Sequence, residues 1–537
     1  MYKNRIVAIM IVTIFILTSV VMAEKNTFEK TSAQNKTVST LSPPQVEWEH
    51  TYGGTGCDWI YFVREIPGGY IACGNKGHPD EDAANPCVWK LDWEGNLEWE
   101  LITTEVEYPR WGQGAPGWVE LCSDGGYIVG VQFNAFEESL VYGILWKISA
   151  DGTTEWVSKQ FQGEDEGDHE FVALPTCIYE VADGYIVGGY AYFLAPENLV
   201  CSDGILMKID KNGNDVWYKT LIYDTYDSGE DLLISLYPTS DGGYILAGAT
   251  KANLPAADVW LVKTDATGNI EWQKTYGGDR WDGSYSKNVY QTSDGGYIIY
   301  ALTLTYGAGK GDAWIIKTDA NGEVEWTETY GENTNEGTGE GLDLTSDGGY
   351  VFVVTRDHSG FGAPRGDIWI NKIDDAGNLQ WNLIFGTEWE DRAYHVQQTA
   401  DGGYIISGAK GSSNSIQGWD GWLIKLSPGT GMAPPEMTVK KPRAGYIFLF
   451  DILGFPFPFT QNALVLGDLT FDVDPSDPNG ISKVEFFIDG QVVETVTEAP
   501  YTYEWLDAEK GTYDVKIRAY NTDGATCKEE LTIQKIF

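Results

Sequence analysis

Between Ser286 and Tyr330 the chain reads as four short apolar-rich runs, SKNVYQT (286–292), GYIIYAL (296–302), AWIIKT (313–318) and EVEWTETY (323–330). Runs of this length, rich in Val, Ile, Tyr, Trp and Thr and bounded by Gly, Asp and Asn, predict antiparallel strands. Nothing in the segment has the helical period. SDGG joins the first run to the second and DANG the third to the fourth. Asp can close its own turn and Gly accepts positive φ, so both junctions read as tight hairpin loops.

The same pattern recurs along the chain. Variants of SDGGY close at Tyr70, Tyr127, Tyr185, Tyr244, Tyr297, Tyr350 and Tyr404, with a period of 53 to 59 residues. A period of this size marks an array or a propeller, one supersecondary unit per copy. The fourth run of most copies follows a D-x-x-G turn and carries a tryptophan: Trp99, Trp156 (in a variant copy), Trp217, Trp272, Trp326 and Trp381. The last copy, DGWLIKLSPGTG (420–431), has a third strand and no fourth, whereas VEWEHTYGG (46–54) is a fourth strand with nothing before it. The orphan carrying Trp48 is therefore expected to complete the last unit and leave no open edge.

The predicted fold is all-β: a seven-bladed β-propeller over 44–428 closed by an N-terminal strand, followed by an Ig-like β-sandwich over 436–537. A polar linker (24–43) precedes the propeller and a Pro/Gly linker (429–435) follows it. In the tail, Val515, Ile517 and Ala519 alternate with polar residues, and Asp489-Gly490 and Asp523-Gly524 read as hairpin turns.

The repeat KTDANGEVEW resembles that of the quinoprotein-like β-propellers, and the TSDGGYI copies resemble repeats of secreted archaeal and bacterial proteins. KKPRAGYIFLFD, GISKVEFFIDG and APYTYEW together resemble a bacterial Ig-like domain, a module that spaces or anchors other domains. The repeat pattern specifies blades rather than chemistry. Quinoprotein enzymes hold their cofactor, PQQ, with residues outside the pattern, and no residues here match those positions. No cofactor is therefore expected.

In such a blade the short turns share one face and the long connections the other. The long ones differ in every copy, as in 74–86, 192–204, 304–312, 356–367 and 410–421. Divergence where folding does not require identity makes that face the expected recognition surface. It brings tryptophans beside carboxylates: Asp58-Trp59, Trp281-Asp282, Trp389-Glu390-Asp391 and Trp419-Asp420, with Trp111 and Trp118 nearby. Aromatic rings stack on sugar faces and carboxylates accept hydroxyl bonds, which suits an extracellular glycan or a protein. The bland alternative is that these residues pack neighbouring blades together. A second functional class is a carbohydrate-active, endoglucanase-like hydrolase, with two of Asp58, Asp231, Asp282 and Asp391 paired at the ring centre. The five histidines (50, 78, 169, 358, 395) fall in different copies and form no catalytic motif, so they read as isolated surface residues.

Composition narrows the partners. With 36 Lys and Arg against 79 Asp and Glu, the formal charge of −43 leaves no basic stripe for nucleic acid. Lys3 and Arg5 before the apolar run Ile6–Met22, ending at Ala23, read as an export signal over 1–23. An uncleaved anchor is the alternative, and no later segment could span a membrane as a helix. The exported protein is expected to be extracellular or at the cell surface, and a monomer. The seven cysteines are an odd number, and Cys57, Cys73 and Cys87 share one copy, where a local disulfide is expected. No CxxC spacing suggests zinc. FDVDPSDPNG (471–480) offers oxygens for calcium without the spacing of a calcium-binding loop, and reads better as a solvated turn.

Overall fold

The computed structural model describes residues 43–536, except for single positions and short segments that include 78–83, 103–112, 195–199, 224–230, 358–365 and 413–417. Residues 1–23, read above as an export signal, all but the last residue of the 24–43 segment, and 429–435 lie outside the described residues. Every element is a β-strand. Among the described residues no helix is long and apolar enough to cross a membrane.

Each copy of the turn phrase joins the first two strands of an antiparallel unit. Asp231–Pro238, Tyr244–Thr250, Asp258–Thr264 and Ile270–Tyr276 are one such sheet of four. The two middle strands, Tyr244–Thr250 and Asp258–Thr264, are buried along their whole length, because neighbouring units cover both faces. That is why their apolar runs are continuous instead of alternating.

Three repeated contacts hold unit to unit. The fourth-strand tryptophan of one packs on the closing tyrosine of the next, as Trp272 on Tyr297 (5.8 Å), Trp326 on Tyr350 (6.3 Å) and Trp381 on Tyr404 (5.3 Å). The tyrosine ending the fourth strand donates to a turn carbonyl of the next unit, as Tyr276 to Gly322 (2.7 Å) and Tyr330 to Gly377 (2.7 Å). Gly322 has φ of 76°, and a Cβ there would stand 2.8 Å from Trp272, so both its conformation and its neighbour exclude a side chain. Lastly, the turn phrase is a docking point: the Ser240 and Ser346 amides each donate at 2.7 Å to Gln291 and Gln398 of the following unit.

The K-x-D lysine holds each unit to itself. Lys317 is 3% exposed and bridges Asp294 of one turn and Glu325 of the outer strand, both at 2.8 Å. Lys263 does the same with Asp241 and Glu271. A buried ammonium is tolerated because both acids neutralise it.

The orphan strand behaves as expected from its sequence. Val46–Tyr52 pairs antiparallel with Trp419–Leu426, from Val46 opposite Leu426 to Tyr52 opposite Gly421. Trp48 then meets Tyr70 of the first unit at 5.7 Å, and the Tyr52 hydroxyl donates to Gly95 at 2.6 Å. The last and first units thus share the contacts that join successive ones.

The expected disulfide in the first copy does not form. Cys57, Cys73 and Cys87 are thiols. Cys73 stands opposite Val88, and Cys87 opposite Gly74. That register sends the two sulfurs to opposite faces of the sheet, into different apolar cores.

The C-terminal unit is a sandwich of a three-stranded sheet on a larger one, around Phe471, Phe486, Trp505, Ile517 and Ile533. Val515, Ile517 and Ala519 point inward, as their alternation predicts. The intervening residues dock on the first repeat unit. Arg518, 7% exposed, lies 5.1 Å from the Trp93 ring centre, and Lys516 and Lys528 approach Glu94 at 3.6 and 3.3 Å. In the 471–480 segment Asp474 pairs with Lys440 (3.0 Å) and Asp477 accepts from Asn521 (3.1 Å).

Candidate functional site

The four candidate acids occupy equivalent places at the loop end of the first strand, and each is consumed by local structure. Asp58 is 0% exposed; one oxygen accepts from the Gly54 amide (2.8 Å) and the other from Gly77 (2.9 Å). Asp282, also 0% exposed, takes the Gly278 amide (2.9 Å), the Thr305 hydroxyl (2.7 Å) and the Thr303 hydroxyl. Asp391 holds the Thr387 and Gly411 amides. Asp231 holds the Tyr223 amide (3.1 Å) and the Thr250 hydroxyl. Each carboxylate straps the incoming loop to the end of the second strand. Burial raises the pKa of Asp58 and Asp391, opposed by these backbone donors; neighbouring Asp420 raises Asp58 further. Asp420 is itself raised by burial.

The tryptophans separate into three groups. Trp59 and Trp419 come together where the first and last units meet, with ring centres 5.9 Å apart. Trp59 also meets Tyr61 (5.9 Å), which meets Tyr394 (5.0 Å). The Arg392 guanidinium sits 4.7 Å from the Trp419 ring centre and is held by Glu390 at 2.7 Å. Trp389 is half-buried at the entrance to that same last unit, and Trp281 is half-buried beside its acid in another. Trp118 is not on the loop face: it is 2% exposed inside the channel, against Phe62 (4.5 Å) and Tyr179 (5.4 Å). Trp111 lies outside the described residues, as do His78, His169 and His358. His395 is not a surface residue; it is 4% exposed and 4.2 Å from Phe62.

A second constellation was missed in the sequence. One residue per copy, at the same register near the turn end of the first strand, is half-buried: Arg64, Glu120, Tyr179, Tyr237, Tyr290, Asp343 and Gln397. Arg64 pairs with Glu120. Tyr237 lies between Tyr179 (5.9 Å) and Tyr290 (5.1 Å), an aromatic arc. Gln397 accepts the Glu65 amide across the junction of last and first units (2.8 Å). Two residues before the ring positions of their own strands, Phe62, Trp118 and His395 pack on one another, with the Arg64 guanidinium 5.5 Å from the Trp118 ring centre. Burial pushes the Asp343 carboxyl up to about 7, against the Gln398 and Leu344 amides and the Arg64 charge. It also pushes Tyr179 and Tyr290 well above the usual phenol range. Counting back from each closing tyrosine finds this ring: seven residues, or six where the turn is shortened to PGGY or ADGY.

Among the described residues, no group of three or more His, Cys, Asp or Glu side chains could hold a metal ion.

A family model described as bacterial Ig domain matches residues 460–517. No curated protein matches the chain in sequence. Among solved structures, the Dos1 propeller is similar at 12% identity and a TM-score of 0.38, covering 68% of this chain and 78% of that one. NanB sialidase of Streptococcus pneumoniae is similar at 10% identity and a TM-score of 0.38, covering 72% and 70%. The Bombyx mori GH32 β-fructofuranosidase is similar at 8% identity and a TM-score of 0.29, covering 78% and 87%. Scores this low carry no inference about function.

Proposed function

We propose that the chain is an exported, monomeric, seven-bladed β-propeller with a trailing Ig-like sandwich, which binds an extracellular glycan or protein through its variable-loop face and catalyses no reaction. The seven copies of the turn phrase and the shared contacts of Trp48 with Tyr70 support the blade count. The observation that carries the binding reading is the contrast on the loop face. The four candidate acids spend their oxygens on loop backbone and threonine hydroxyls, while Trp59, Tyr61, Tyr394 and Trp419 cluster beside the Arg392–Glu390 pair. A carboxylate holding two backbone amides is a poor proton donor or nucleophile, since catalysis would cost those bonds. Tyr394 and Trp419 are buried beneath the half-buried Trp59 and Tyr61, and half-buried rings with a neighbouring guanidinium suit a sugar face or a polar peptide.

A glycan array read beside a reducing-sugar assay on polysaccharides tests this. Binding without turnover, weakened by Trp59→Ala or Trp389→Ala, is the expected result. Turnover that disappears in Asp391→Asn while the fold persists would establish the hydrolase instead.

A further inference from the structure

In the tyrosine sector of the turn-end ring, Tyr179, Tyr237 and Tyr290 pack their rings against the blade cores, and each is half-buried. The Arg64 charge is already met by Glu120, so the ring holds one further acid, Asp343, with no ion-pair partner among the described residues. Its carboxylate accepts the Gln398 amide at 3.0 Å, with the Leu344 amide also directed at it. Beside it stand Tyr290, Tyr237 and Tyr179, edge to face, none hydrogen-bonded through its hydroxyl to another described residue. Trp118 meets Tyr179 at 5.4 Å, and Phe62 and His395 pack on beyond it. The Ig-like unit docks at Trp93 and Glu94 of the first unit, whereas the tyrosines belong to the third, fourth and fifth.

We propose that this end of the channel is a binding cup for a small organic cation of the substituted-ammonium class, held between the tyrosine arc and the Asp343 carboxylate. Tyrosine π-faces attract an ammonium, more strongly where water is excluded. A carboxylate alongside supplies the counter-charge. An anion finds only Arg64, already paired, and meets the field of a chain of charge −43. The groups facing Asp343 across the cup are Arg64, Glu120, the three tyrosines and, below, His395. A cation favours the ionised carboxyl, so affinity rises with pH through the range where Asp343 loses its proton. This site is independent of the loop-face reading, and either can fail alone.

Isothermal titration of the full chain with tetramethylammonium and butylammonium chloride tests the cup. The expected result is saturable binding by one of them that weakens at least about tenfold in Asp343→Asn. Tyr237→Leu should weaken it too, and gives a second route should the first variant not fold. Trp59→Ala, at the other end, should leave it unchanged. Affinity should also fall as pH drops from about 8 to about 5. No binding of either cation, binding indifferent to both variants, or equally tight binding of the neutral tert-butanol would overturn the proposal.

Discussion

The two ends of the first strand in each unit teach opposite lessons. At the loop end the same residue returns: Asp58, Asp231, Asp282 and Asp391 all strap an entering loop to the second strand. At the turn end the aligned position reads Arg64, Glu120, Tyr179, Tyr237, Tyr290, Asp343 and Gln397, five residue types in seven copies. Repetition marks a position where every copy needs the same bond. Divergence at an ordered strand position marks one released from that need. Carboxylates look alike in the sequence at both ends, yet the loop-end set is held within its own unit, whereas Asp343 takes the Gln398 amide of the following copy.

The hardest blow to this comparison is removal of the strand that closes the array, since both ends share the channel it maintains. Deleting residues 44–54 should lower the unfolding midpoint by on the order of 10 °C, because a whole ladder and the Trp48 and Tyr52 contacts go with it. An unchanged midpoint in calorimetry would show that the strand closes nothing. Next in size, Asp282→Ala should cost about 3 kcal/mol or more in denaturant titration, since it leaves a buried amide and two hydroxyls without their acceptor. A loss under about 1 kcal/mol would put the loop-end acids outside the folding role assigned to them.

The smallest effect is the most diagnostic. Asp343 titrates at about 7 in the folded chain, above the carboxyl's unfolded value of about 3.9. Between those values the native state binds a proton the unfolded state lacks, so this group makes stability fall as pH rises through the window. Asp343→Asn should match the parent near pH 4 and draw ahead of it as pH rises past about 7. A variant that loses stability on the alkaline side would place Asp343 among the structural acids.

Much of the architecture was legible because it is local. Turn phrases such as SDGGY and DANG name their own hairpins, and the missing fourth strand after Leu426 and the unattached one at Val46 announce their pairing. The K-x-D lysine was visible as a pattern, but its burial between two acids was not. The candidate site was read less well. Pairing Trp with a neighbouring acid along the chain drew attention to Trp59 and Trp419, whose rings meet, while Asp58 is turned inward and held by loop amides. Trp118 was placed near the loop face, whereas it lies opposite Gly130, buried against Phe62 and Tyr179. The cysteines failed for the same reason, since Cys73 and Cys87 share a copy but not a face.

The sequence by itself determined strand content, turn positions, the repeat and the alternation that buries Val515, Ile517 and Ala519, because each depends on residues within one hairpin. Only the tertiary structure decided which polar groups are spent and which remain. The Asp58 oxygens meet Gly54 and Gly77, and the Asp343 carboxyl meets tyrosines from other copies. For Asp58 those partners lie 4 and 19 residues away within one unit, whereas the Gln398 amide that Asp343 accepts comes from the following copy, 55 residues on.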